Sequence, residues 1–60
     1  MSLPTFTVKT DDPEVKKFVR DEFSDNENVG IESMDEGNWM KVEVYPGIDP
    51  DRKKDLMRVF

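Results

Sequence analysis

Two segments of the chain share one pattern, and this pattern constrains the fold more than any other feature. They read DPEVKKFVRDEF from residue 12 and DPDRKKDLMRVF from residue 49. In each, the aspartate can accept hydrogen bonds from free amides at a helix start, and proline suits the first helical position because it has no N–H to satisfy. The closing phenylalanine follows about three turns later, on or near the core side. The sequence therefore predicts two helices, which start at Pro13 and Pro50.

Apolar side chains within both segments are spaced as on one face of a helix. In the first helix they are Val15, Phe18, Val19 and Phe23. In the second they are Leu56, Met57 and Phe60, and this helix is predicted to run to Phe60. Both helices are therefore expected to present an apolar stripe to a common core.

A first strand is predicted before the first helix. Residues 5–10 read TFTVKT, in which apolar and polar side chains alternate. Phe6 and Val8 point to one side, and the outward side carries Thr5, Thr7 and Lys9. Such alternation is typical of a half-buried strand.

Two further strands, residues 29–34 and 39–45, are predicted to form a hairpin. The residues between them, DEGN at 35–38, favour a turn in which Gly37 takes a positive φ. With these four as the loop, the facing pairs are Val29 with Val44, Ile31 with Val42, Ser33 with Met40, Glu32 with Lys41, and Met34 with Trp39. An apolar face and an opposite-charge pair emerge together, which favours this register.

The predicted element order is β-α-β-β-α, and residues 1–60 are expected to form a single small α+β domain. Two helices on one face of a three-stranded antiparallel sheet give a two-layer sandwich. The layout is a split βαβ unit without its last strand, so the strand order is expected to be 1-3-2. The first strand then lies on an edge of the sheet.

The composition removes most catalytic and metal-binding chemistry. The chain has no cysteine and no histidine, so thiolate and imidazole groups are absent. Its carboxylates cluster at predicted helix starts and turns, where capping and solvation account for them. A calcium-loop spacing from Asp25 is matched only in part, because Val29 stands where an oxygen ligand is needed. The sequence therefore predicts no enzyme, with no catalytic, cofactor-binding or metal-binding residue, no cofactor and no small-molecule substrate.

Charge and hydropathy narrow the classes of partner. The net charge of −5 argues against nucleic acid, since such binding depends on cationic contacts to phosphate. No apolar run approaches the roughly 20 residues of a membrane span, and the start MSLPTFTV lacks the basic region of a signal peptide. A cytoplasmic protein without a membrane partner is the default expectation.

The outward side of the hairpin carries the best candidates for binding a protein, because interfaces are enriched in aromatic residues and methionine. The candidates there are Met34, Trp39, Lys41, Glu43 and Tyr45. The edge strand offers a second surface through Thr5, Thr7 and Lys9, because an unpaired edge can add a strand from a partner or from a second copy. The alternative for Met34 and Trp39 is that they shield the hairpin end through cross-strand contact.

The sequence FSDNE at residues 23–27 leads out of the first helix and precedes the hairpin and the second helix. Together with Asn38, Val42, Asp49, Arg52 and the pair Leu56 and Met57, it resembles the DinI-like family of small DNA-damage-response proteins, over about Phe23 to Met57. The resemblance implies a β-α-β-β-α fold and modulation of a recombinase filament. That family acts through an acidic second helix, whereas residues 51–55 here read DRKKD, so the resemblance implies no site residue.

Three functions are compatible with these observations. The first is a small acidic interaction or regulatory domain that binds a protein partner or associates with itself, as a dimer for example. The second is a structural or designed scaffold without a ligand, since helix starts of this kind and a self-consistent hairpin are also what designers choose. The third is a modulator of a recombinase filament.

Overall fold

The structure, a computed structural model, describes residues 3–34 and 37–60. Within them the chain forms β1 (Phe6–Thr10), α1 (Pro13–Phe23), β2 (Val29–Ser33), β3 (Met40–Val44) and α2 (Pro50–Met57). The predicted α+β class and element order are confirmed. The strands are one or two residues shorter than predicted.

The strands form an antiparallel sheet in the order β1-β3-β2, as predicted. The predicted register of β2 on β3 is confirmed for Val29 with Val44, Ile31 with Val42, Glu32 with Lys41, and Ser33 with Met40. Beyond the strands, the Met34 N–H donates to the Trp39 carbonyl at 3.0 Å, and Gly37 takes the predicted positive φ of 69°. Asp35 and Glu36, the other residues of the predicted loop, lie outside the described part of the chain.

Both helices start as the Asp-Pro segments predict. Asp12 Oδ1 accepts hydrogen bonds from the Glu14 and Val15 amides at 2.8 and 3.3 Å. Asp49 Oδ1 accepts one from the Asp51 amide at 2.8 Å. Each aspartate thus satisfies amides that have no partner within the helix.

The core lies on one side of the sheet. Fully buried side chains alternate along β3, at Met40, Val42 and Val44, and the helices add Val19, Phe23 and Leu56. These residues and Val29 form one cluster, with Phe6, Val8, Val15, Phe18, Ile31 and Ile48 packed against it. The placement of both helices on one face of the sheet stays a prediction, which this alternation favours because a strand turns successive side chains to opposite faces.

Basic side chains of the helices connect them to the sheet. From α1, Lys16 Nζ donates to the Asn38 carbonyl at 2.7 Å, and Arg20 Nη2 donates to Ser33 Oγ at 3.3 Å. From α2, Lys53 Nζ lies 5.6 Å from the centre of the Phe6 ring. These contacts place α1 beside the hairpin and α2 beside β1.

The prediction that the second helix runs to Phe60 is wrong. α2 ends at Met57, and the amides of Val59 and Phe60 each bond to a carbonyl three residues earlier. This tighter turn removes Phe60 from the helical face that carries Leu56. Phe60 is therefore 41% exposed, whereas Phe23 is fully buried. Met57, also predicted as an apolar position and still within α2, is 40% exposed.

Candidate binding surface

The two surfaces predicted from the sequence belong to one face of the sheet. β1 pairs with β3 so that Thr7 lies opposite Glu43 and Lys9 opposite Lys41. All four alternate with the buried residues of their strands. We call this side the outer face, and it carries Thr5, Thr7, Lys9, Met34, Trp39, Lys41, Glu43 and Tyr45. The strand order, which brings β1 beside β3, is what joins the two predicted surfaces.

A shallow depression lies at one end of the outer face. Its volume is about 430 Å³, and Lys9, Met34, Gly37 and Trp39 line it. Trp39 is 43% exposed, while Met34 is half-buried. The Trp39 ring packs against Gly37, where an added Cβ would lie 3.4 Å from Trp39 Cδ1. Trp39 thus shields the hairpin end and still offers nearly half of its surface to a partner.

Charge is distributed unevenly across the outer face. Lys41 Nζ lies 3.2 Å from Glu32 Oε2 and 3.8 Å from Glu43 Oε1. The hydrogen bond that the Lys41 ammonium donates to Glu32, and then the negative charges of Glu32 and Glu43, raise the pKa of Lys41 above its usual 10.5. Lys9 lies directly opposite Lys41 and forms no ion pair with any residue of 3–34 or 37–60. Among the described residues, Lys9 is therefore a charged group of the outer face that has no ion pair there.

Tyr45 covers part of the outer face through a contact that the sequence reasoning missed. A Cβ added to Gly30 would lie 3.6 Å from Tyr45 Cε2 and 4.0 Å from its hydroxyl. The hydroxyl donates to Glu43 Oε2 at 3.4 Å. The ring therefore lies over the β2 backbone and is held there. A lone glycine inside a strand marks such a close approach, and Gly30 was the signal available in the sequence.

Both β1 and β2 are edge strands, although only the first was considered from the sequence. The Trp39 carbonyl and the Tyr45 N–H bond towards β2, so alternate residues of β3 bond towards β1. Their partners there are Phe6, Val8 and Thr10. The N–H and C=O groups of Thr7 and Lys9 consequently point away from the sheet. A partner strand could bond to them without disturbing the existing pairs.

Three carboxylates on or next to the helices have structural roles. Asp12 and Asp49 cap the helices, and Asp55 pairs with Arg52 at 3.1 Å. In the described ranges no three carboxylates lie close enough together to hold a metal ion. Neither α1 nor α2 has the length and apolar character that crossing a bilayer requires.

Comparison of the chain with protein-family models, curated proteins and solved structures gives no match. The resemblance to the DinI-like family therefore stays a prediction. The observed element order is the one that this resemblance implies.

Proposed function

We propose that this chain is a small protein-binding domain that acts through its outer face and the adjoining β1 edge, and not by catalysis. The observation that carries the proposal is the convergence of candidate residues from β1 and from the hairpin on one side of the sheet, where Lys9, Met34 and Trp39 line one depression. That side combines an exposed tryptophan, a methionine and charged residues. Protein interfaces favour aromatic residues and methionine at their centre and polar residues at their rim.

The alternative role of Trp39, as a shield for the hairpin end, explains its contact with Gly37 but not its remaining exposure. Contact with Gly37 covers one side of the ring, and 43% of the residue stays accessible. Interface residues with large binding contributions are most often tryptophan, tyrosine or arginine. Trp39 beside Lys9 and Met34 is therefore the expected centre of the binding surface.

Site-specific photo-crosslinking tests this proposal. A benzophenone amino acid replaces Trp39 in one variant and Phe60 in a matched control, because Phe60 is also aromatic and is 41% exposed. In the cells that express the protein, irradiation of the Trp39 variant is expected to give a discrete adduct with one protein. The Phe60 variant is expected to give none.

The captured protein is then purified and its affinity measured by titration calorimetry. Trp39→Ser is expected to weaken binding about ten-fold or more, as for a central interface tryptophan, whereas Phe60→Ser leaves it unchanged. Equal adducts from both positions, or equal losses from both serine variants, would place binding elsewhere on the molecule. No adduct from either position would favour a scaffold without a ligand.

A second candidate function is modulation of a recombinase filament. It is favoured by the agreement between the observed element order and the order that the DinI-like resemblance implies. The test is to add the protein to preformed recombinase filaments on single-stranded DNA and to measure filament lifetime. An unchanged lifetime at saturating protein removes this candidate and leaves the first proposal intact.

A further inference from the structure

We infer that the β1 edge binds an extended segment of a protein partner that runs antiparallel to β1 and places a carboxylate opposite Lys9. This inference rests on the proposed function and adds the chemistry of the partner. Three features of β1 carry it: its free backbone groups, the charge at Lys9, and the partial burial of its inward side chains.

The backbone of β1 is ready to pair on its free side. The N–H and C=O groups of Thr7 and Lys9 point away from β3, as the alternation of the ladder requires. An added strand that bonds to both residues would make the sheet four-stranded. Antiparallel pairing continues the geometry already present and is slightly more stable per residue than parallel pairing.

The charge on the outer face specifies a carboxylate. Glu32 on β2 and Glu43 on β3 both lie against Lys41. Neither carboxylate comes from β1. Lys9 lies opposite Lys41 in the register, but the carboxylates of Glu32 and Glu43 pair with Lys41 and not with Lys9. A side chain on an added strand would lie beside Lys9 at cross-strand distance, and a carboxylate there would form an opposite-charge pair with the Lys9 ammonium.

The inward side of β1 specifies apolar residues at the alternate positions. Phe6 and Val8 are only half-buried, although they pack against the core. An added strand would place its own inward side chains beside them at the margin of the core. The segment is therefore amphipathic, with apolar residues inward, a carboxylate opposite Lys9, and a small or β-branched polar residue opposite Thr7.

A second copy of β1 fits this edge less well. The outward side chains of β1 are Thr5, Thr7 and Lys9, so each antiparallel register of two β1 strands places a threonine or a lysine opposite Lys9. No register supplies a carboxylate from the strand itself. Self-association would bring no carboxylate from the added strand to Lys9, whereas an acidic segment supplies one.

The β2 edge is also less suitable. The first β2 amide that points away from the sheet, that of Val29, already donates to the Asn26 carbonyl at 3.1 Å. On the outer face, the acidic side chain of β2, Glu32, is paired with Lys41. The Ile31 and Ser33 amides also point away from the sheet, but the lysine of the outer face that has no ion pair among the described residues lies on β1.

Defined peptides test the inference. The blocked peptide SVEVTVTS, aligned antiparallel, places its glutamate opposite Lys9, its first threonine opposite Thr7, and valines opposite Val8 and Phe6. The peptide SVKVTVTS is identical except for its charge. Titration into the labelled protein, followed by NMR, is expected to shift the Thr7 and Lys9 amides and to slow their hydrogen exchange. The glutamate peptide is expected to bind about three- to thirty-fold more tightly than the lysine peptide.

Two controls separate strand addition from adsorption. N-methylation of the glutamate and first threonine removes the N–H groups that face β1 and is expected to abolish binding. N-methylation of the two valines that face Val8 and Phe6 methylates only the far edge and is expected to leave binding unchanged. Lys9→Glu is expected to reverse the preference between the peptides, whereas Lys17→Glu, on the exposed side of α1, leaves it as in the parent chain.

Equal binding of both peptides, tighter binding of the lysine peptide, protection of β2 amides, or no binding at millimolar peptide would overturn the inference. So would a concentration-dependent protection of β1 amides without peptide, which would identify a second copy as the occupant. Each of these outcomes leaves the crosslinking test at Trp39 to decide the proposed function on its own. Conversely, peptide binding without a Trp39 adduct would support the β1 edge as a binding site and contradict the role proposed for the outer face.

Discussion

The guanidinium carbon of Arg52 lies 4.5 Å from the centre of the Phe23 ring, so the first turn of α2 covers the last turn of α1. Arg52 Nη2 also donates to the Glu22 carbonyl at 3.1 Å, and Nη1 pairs with Asp55 at 3.1 Å. The Glu22 carbonyl is among the last four of α1, which have no partner within the helix. A cation near the C-terminal end of a helix is also electrostatically favourable. One side chain thus joins the two Asp-Pro segments.

Arg52→Ala is therefore expected to lower the free energy of unfolding by about 1–2 kcal/mol, through loss of the cation–π contact and of the hydrogen bond to α1. The exposed pair with Asp55 contributes little to this value. Arg52→Lys keeps the charge but not the forked donors, so its cost is expected to be intermediate. Urea denaturation measures both variants. Lys54→Ala is the control, because Lys54 is exposed on the same helix, and an equal loss there would contradict the role given to Arg52.

The two closing phenylalanines are expected to differ sharply in their contribution to stability. Phe23→Ala should cost about 3–5 kcal/mol, which is comparable with the roughly 3–9 kcal/mol available to a chain of this length. Phe23→Leu is expected to cost about 1–2 kcal/mol, so this variant should stay folded and its loss of stability can be measured. Phe60→Leu is expected to cost less than about 0.5 kcal/mol because Phe60 is 41% exposed. Thermal unfolding of the two leucine variants gives the comparison, and similar losses would restore Phe60 to the core.

Most of the fold was predictable from the sequence because local signals agreed with one another. The capping aspartates and the prolines that follow them fixed both helix starts, and the hairpin register followed from matching apolar positions across a four-residue loop. The end of α2 was not predictable in the same way. Leu56 and Phe60 are spaced for one helical face, and no residue pattern in this segment signals the tighter turn that follows Met57.

The residues of the candidate binding surface could be predicted from the sequence, but not the fact that they share one face of the sheet. Alternation along each strand indicates which side chains face outward, but only the pairing of β1 with β3 shows that both sets share a face. The contact between Tyr45 and Gly30 is diagonal across the sheet; the glycine within the strand signals a close approach, but only the β2–β3 register shows that Tyr45 makes it. The like-charge pair of Lys9 and Lys41 likewise appears only in the β1–β3 register.

Gly30 and Gly47 are expected to respond in opposite directions to alanine. Gly30 has no positive φ, and an added Cβ would make ordinary contacts of 3.6 Å with Tyr45 Cε2 and 3.8 Å with Glu43 Cβ. Gly30→Ala is therefore expected to stabilise the fold by about 0.4–1 kcal/mol, mainly by restricting the unfolded chain. Gly47 has a φ of 100°, which strains any side chain, so Gly47→Ala should cost more than about 1 kcal/mol. Urea denaturation decides both signs, and a destabilised Gly30→Ala variant would mean that the Tyr45 ring needs the bare backbone.

The ion pairs of Lys41 are expected to make stability depend on alkaline pH. Since Glu32 and then Glu43 raise the pKa of Lys41 in the folded state, the stabilisation is fully present below the ordinary lysine pKa of 10.5, which applies to the unfolded chain. It is lost as the pH rises through the higher folded pKa, because both states then carry a neutral amine. An NMR titration of the Lys41 side chain is expected to show a midpoint above 10.5. Glu32→Gln should lower that midpoint more than Glu43→Gln does, since Glu32 supplies the shorter contact and the hydrogen bond. If Glu32→Gln leaves the midpoint unchanged, Lys41 does not form the ion pair with Glu32, and Glu32 is available to other cations on the outer face.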